Sequence, residues 1–247
     1  YKHFMAKEIA EQPTVLGNTL SNYLTVNGEI NLPDPDLDFT KIDRLTMVAC
    51  GTAYYACLTA KYWFEQIARI PVEVDVASEF RYREPPIPDR TVALFVSQSG
   101  ETADTLAALR YCEGKADQIV SVVNVPESSI ARESDLALPI YAGIEVGVAS
   151  TKAFTCQLTV LLLLALKAAA QRGEITPEQL ADHLSAMRNL PASINAALAQ
   201  NASMQSAARK LSEARDVLFL GRGLMYPLAL EGALKLKEIS YIHAEAY

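Results

Sequence analysis

The 247 residues, half of them apolar, suffice to bury a sizeable core in one large domain or two modest ones. The formal charge of −7 is spread along the chain with no basic block, which excludes a nucleic-acid footprint. Four cysteines, Cys50, Cys57, Cys112 and Cys156, follow neither CxxC spacing nor a dense framework, arguing against a metal cluster or disulfide scaffold and for a reducing cytoplasm.

In chain order, Lys7, Glu8 and Glu11 fall where a secretory signal needs an unbroken apolar core, so nothing here directs export. Residues 1–24 predict a helix that Pro13 interrupts. Pro33 and Pro35 make 31–36 a linker. Five apolar runs then predict strands, at 45–50, 72–77, 92–97, 119–125 and 136–141, while 54–70, 103–111 and 152–171 have helical periodicity. Strands apolar throughout and separated by helices indicate a parallel sheet covered on both faces. With right-handed crossovers, the expected fold is a flavodoxin-like, doubly wound, five-stranded α/β sandwich. The most apolar run, 158–166, is bounded by Gln157 and Lys167, short of the roughly 20 residues that span a bilayer. It predicts a buried core helix and no membrane partner.

Residues 177–214 predict a helical connector broken near Pro191. A strand at 217–220, Gly221-Arg222-Gly223 and a helix from about Pro227 follow, repeating the strand-glycine-loop opening of 47–52. The expected organisation is an N-terminal helix and linker (1–36), a first α/β domain (37–173), and the connector with the incomplete start of a second (174–247). Tyr1 and a Tyr247 that directly follows a helical pattern suggest a segment of a longer protein.

Three places could carry chemistry. Ser97-Gln98-Ser99-Gly100-Glu101-Thr102-Ala103-Asp104-Thr105 follows a buried strand and opens a helix, whose unpaired N–H groups and positive dipole end suit an oxyanion. Ser97, Ser99 and Thr102 add hydroxyls, Gln98 adds an amide, and Gly100 permits close backbone approach. Equally, Ser99 or Thr102 could simply cap that helix, with Glu101 serving its dipole. Ser150-Thr151-Lys152 could close a second loop over a ligand, or cap the next helix. Glu231, Lys235 and Glu238 share one helical face, as a solvated ion-pair ladder or as acid–base groups. Tyr62 and Trp63 read as core or dimer contacts. The cysteines lack a neighbouring base and are assigned no chemistry.

The segment 97–105 resembles the signature of sugar isomerase (SIS) domains. Ala49-Cys50-Gly51-Thr52, the stretches 77–83 and 145–154, and Ala229 through Tyr241 resemble, in the same order, the glucosamine-6-phosphate synthase family. That family makes glucosamine 6-phosphate from fructose 6-phosphate and ammonia, which an N-terminal glutaminase domain, outside this segment, releases from glutamine. The resemblance implies that Ser97, Gln98, Ser99 and Thr102 hold the phosphate, and that Thr52, Val148 and Ser150 meet the sugar. It makes Glu238 the base that moves a proton from C1 to C2, with Lys235 and Glu231 tuning charge and orienting hydroxyls. Ala53 departs from the serine frequent in relatives and is left out of the site.

The resemblance further implies a cytoplasmic homodimer needing no metal or organic cofactor. Relatives continue into a Lys-His-Gly-Pro segment with a ring-opening histidine and a tail with an imine-forming lysine, so this segment is expected to bind substrate without full activity. Roles for Lys237, His243 and Glu245 stay open. The competing readings are a non-catalytic SIS-domain sugar-phosphate sensor, which should lack Glu238, and another phosphosugar isomerase or a deglycase. Two-domain spacing and the 145–152 segment argue against the latter.

Overall fold

The computed structural model describes residues 1–33 and 37–247; the last three residues of the predicted linker, 34–36, lie outside the described residues. Helix α1 (Phe4–Tyr23) runs unbroken through Pro13, against the expected interruption. Proline offers no N–H to the carbonyl four residues back. That carbonyl, Ile9 O, instead accepts from Nε2 of Gln12 at 3.0 Å.

Five strands follow, β1 (Arg44–Ala49), β2 (Val72–Val76), β3 (Thr91–Ser97), β4 (Gln118–Val123) and β5 (Leu136–Pro139). All pair in parallel in the order β2-β1-β3-β4-β5, the flavodoxin-like arrangement. Every residue of the central β3 is buried. Its Val92, Leu94 and Val96 join one core, and Ala93 and Phe95 the core on the opposite face, as the two-residue period of a strand requires. Helices α2 (Gly51–Gln66), α3 (Ala77–Arg83), α4 (Ala103–Cys112), α5 (Ser129–Arg132) and α6 (Lys152–Gln171) cover the sheet. Ala77, expected to end a strand, opens α3. Neither α3 nor α5 was foreseen, being too short to display a helical period. Helix α6 extends well past the run 158–166 and is long and apolar enough to cross a membrane by length and composition. Here it is mostly buried and packs against α1 and α2.

The connector forms α7 (Pro177–Arg188), α8 (Leu190–Leu198) and α9 (Asn201–Leu211). Pro191 lies in the first turn of α8, where its missing N–H has no intrahelical partner to lose. Then come β6 (Asp216–Phe219), α10 (Met225–Ser240) and β7 (His243–Ala246). The helical pattern therefore does not reach Tyr247: Tyr241 takes a left-handed conformation (φ 59°) that ends α10, and β7 pairs in parallel with β6. Its sequence, His-Ala-Glu-Ala, carries almost no strand signal of its own. Helix α10 packs on α2, setting its charged face over Thr52 in the first turn of α2.

Candidate active site

The chain leaves β1 toward one neighbour and returns to pair β3 on its other side, so the sheet's order reverses between these two strands. Ligands of open α/β sheets occupy the crevice beyond the carboxyl ends at such a point. A cavity of about 200 Å³ lies there, lined by Thr52 from the first turn of α2, Ser97 at the end of β3, Gln98, Ser99 and Thr102 after it, and Ser150 before α6. Six residues singled out from sequence thus converge on one space.

The loop after β3 is held by its own side chains. Ser97 Oγ accepts from Gly100 N at 3.0 Å and shares a 3.0 Å hydrogen bond with Thr102 Oγ1, while Ser99 Oγ accepts from Glu101 N at 3.2 Å. Gly100 adopts φ +67°, and a Cβ there would collide with the Ser128 side chain. Thr102, at the N-cap of α4, makes no side-chain bond to that helix. Glu101 turns away to accept from Ser129 N at 2.7 Å, and that bond holds its carboxyl below the usual range. Neither Thr102 nor Glu101 therefore serves α4, which keeps the positive end of its dipole available.

The loop before α6 hangs on two carboxylates. Glu145 accepts from Ser150 Oγ (2.9 Å), Thr151 N (2.9 Å) and Ala153 N (3.3 Å), so Glu145 caps α6 and Ser150 and Thr151 do not. Glu8 of α1, buried, accepts from Val146 N at 2.6 Å and Gly147 N at 3.1 Å. A Cβ on Gly147 would crowd that carboxylate. Buried Lys152 donates to Glu11 at 2.8 Å, holding the Glu11 carboxyl below its ordinary value. The Val148 side chain is 97% exposed and lies outside the cavity lining, so the structure does not bring it to the other predicted sugar contacts.

On α10 the three charged residues are not a solvated ladder. Glu231 is 6% exposed, and its Oε1 accepts from Thr52 Oγ1 at 3.1 Å. Lys235 Nζ donates to the same Thr52 oxygen at 2.8 Å and to Glu238 Oε2 at 2.6 Å, and sits 3.5 Å from Glu231 Oε1. Glu231 Oε2 is buried without a hydrogen-bond partner among the described residues. Burial pushes the Glu231 carboxyl up to about 7, against the lowering pull of Lys235 and Thr52. The row runs from this buried acid through a lysine to the partly exposed Glu238.

Comparison with known proteins bears on the whole of this arrangement: the SIS domain family matches residues 38–167 and 210–247, more than half of the chain. The chain belongs to the SIS domain family. Glutamine–fructose-6-phosphate aminotransferase (isomerizing) of Zymomonas mobilis is 57% identical over the entire SIS chain, which spans 41% of that relative's length. The protein of the same name from Brucella abortus is 55% identical, again with 41% of its length covered. Among solved structures, the C-terminal domain of glucosamine-fructose-6-phosphate aminotransferase from Francisella tularensis superposes with a TM-score of 0.97 at 46% identity, covering all of this chain and 70% of that one. A glucosamine-6-phosphate deaminase from Thermotoga maritima gives 0.75 at 26% identity, covering 99% and 70%.

Outside the SIS cavity lie Lys237 and His243, both exposed; the His243 ring meets Asp216 at 3.0 Å and Glu245 at 3.6 Å. Burial raises the Cys57 thiol and pushes Cys112 and Cys156 up to about 11, which keeps them from acting as thiolates. Ala53, set aside from the sequence, forms part of the cavity wall, as do Cys50 and Gln157. Sequence reasoning missed Gln157, Glu8 and Glu145. A carboxamide at the edge of the apolar run 158–166 was the one available signal for Gln157. Glu145 opens the stretch 145–154 that carried the resemblance but was given no role there, and nothing local marked Glu8.

Proposed function

We propose that this SIS chain forms the sugar-phosphate site of an isomerising aminotransferase that converts fructose 6-phosphate and ammonia to glucosamine 6-phosphate. The observation that carries the reading is Thr52, which lines the cavity and whose hydroxyl bonds both Glu231 and Lys235. Phosphate cavity and acid–base row are thereby one continuous site. Ser97, Gln98, Ser99 and Thr102 hold the phosphoryl group with the α4 N-terminus. Thr52 and Ser150 meet the sugar; Val148, exposed outside the cavity lining, is not assigned a contact. Ammonia condenses with the C2 carbonyl and water leaves, giving an imine; Glu238 then takes the C1 proton and returns it to C2 while the C1 hydroxyl proton passes to the imine nitrogen, leaving an aldehyde at C1 and an amine at C2. Lys235, 2.6 Å from Glu238, balances the carboxylate's charge between the two transfers. Glu231 orients Thr52.

In this reading residues 1–36 are an N-terminal helix and linker, 37–173 the first SIS domain, and 174–247 a connector with the opening of a second, the β6-α10-β7 unit. The whole protein is a cytoplasmic homodimer supplied with ammonia by a glutaminase domain. Against a sugar-phosphate sensor stands Glu238, which a mere binder does not need and which here has a lysine partner. Titration calorimetry of fructose 6-phosphate against the Ser99→Ala/Thr102→Ala variant tests the phosphate assignment. Loss of two hydroxyl donors to an anion weakens binding at least tenfold. Unchanged affinity overturns the assignment.

A further inference from the structure

Gln157 lies near the start of α6, is 1% exposed, and lines the same cavity as Ser97, Ser99 and Thr102. Its Oε1 is buried and has no hydrogen-bond partner among the described residues. Unpaired buried amides are rare because they forfeit hydrogen bonds to water without replacement, and a leucine would fill the position with no such loss. We propose that the Gln157 carboxamide is a phosphoryl-binding group whose Nε2 donates to the anion in the cavity, an inference that rests on reading this cavity as the sugar-phosphate site.

The supply of donors argues for it. Among the described residues no Lys or Arg lines the cavity, so a phosphoryl dianion is held there by neutral donors. Ser97 and Thr102 share one hydrogen between their oxygens, which leaves the three hydroxyls of the loop two hydrogens to offer a ligand. The Gln157 amide adds two more. Because Oε1 is the fully buried atom of the carboxamide, Nε2 is the end left to face an anion in the cavity.

The test is calorimetry on the 247-residue chain with two probes, fructose 6-phosphate and inorganic phosphate, for the parent sequence, Gln157→Leu, Gln157→Glu and Ser99→Ala/Thr102→Ala. Gln157→Met replaces the leucine variant should that one fail to fold. The expected result is that Gln157→Leu weakens both probes by the same factor, about tenfold or more, and that Gln157→Glu weakens them further because a carboxylate now faces the anion. Unchanged binding by Gln157→Leu, with Ser99→Ala/Thr102→Ala weakened, overturns the role of Gln157 and leaves the cavity reading standing. Loss confined to fructose 6-phosphate overturns the phosphoryl assignment, because the carboxamide then meets a sugar hydroxyl. Unchanged binding in all variants overturns the cavity reading together with the proposal.

Discussion

Thr52 shows how much one hydroxyl can organise. Its hydroxyl donates to Glu231 and accepts from Lys235, so a carboxylate that burial has made costly to ionise is held by two neighbours and lacks a third among the described residues. The consequence is a pH dependence with a definite sign. The folded-state carboxyl titrates near 7, above its ordinary 4.5, so the folded protein keeps a proton that the unfolded chain gives up. Stability from this source is complete below about 4.5 and is lost as pH rises through about 7. Gln at this position cannot titrate. The stability difference between the parent chain and Glu231→Gln, measured by urea unfolding, is expected to fall by on the order of 3 kcal/mol between pH 4.5 and 7.5. Parallel profiles contradict the assignment. The shared face of Glu231, Lys235 and Glu238 was legible in the sequence, since four- and three-residue spacing fixes it. Which end of the row is buried was not, because that depends on α10 packing over Thr52, far away in the chain.

Among elements, α1 has the least expected role. It was legible as a helix, but Pro13 seemed to break it, and only the capture of Ile9 O by Gln12 explains why it does not. On the turns before Pro13, Glu8 reaches the loop before α6 at Val146 and Gly147, and Glu11 and Gln12 reach Lys152 and Thr155 at the start of α6. Glu8→Ala removes the acceptor of two backbone N–H groups in a buried place. It is expected to cost about 2–3 kcal/mol of stability and to speed amide exchange at Val146 and Gly147 at least tenfold, with the central strand β3 less affected. Exchange at those two amides no faster than in the parent would show that α1 does not hold the loop. The long helices α2, α4 and α6 were readable because each carries enough turns to show its period, whereas α3, α5 and β7 are too short or too polar to announce themselves.

At the scale of the molecule, the five-stranded sheet and its order follow from apolar strands alternating with helices, a pattern that leaves few topologies. The position of the cavity follows in turn from the order reversal between β1 and β3. Less of the second sheet could be foreseen, since β6 and β7 are four residues each and make only a two-stranded sheet. The central claim is that an anionic sugar is bound where these features meet. Titrating fructose 6-phosphate into the isotopically labelled chain and following backbone amide resonances tests it most directly. The expected outcome is that the largest shifts fall on Ser99 through Ala103 at the start of α4, with further shifts at Thr52 and Ser150. Shifts centred elsewhere, for example in the groove formed by Gly17, Leu20 and Arg188, or none at saturating ligand, would contradict the account.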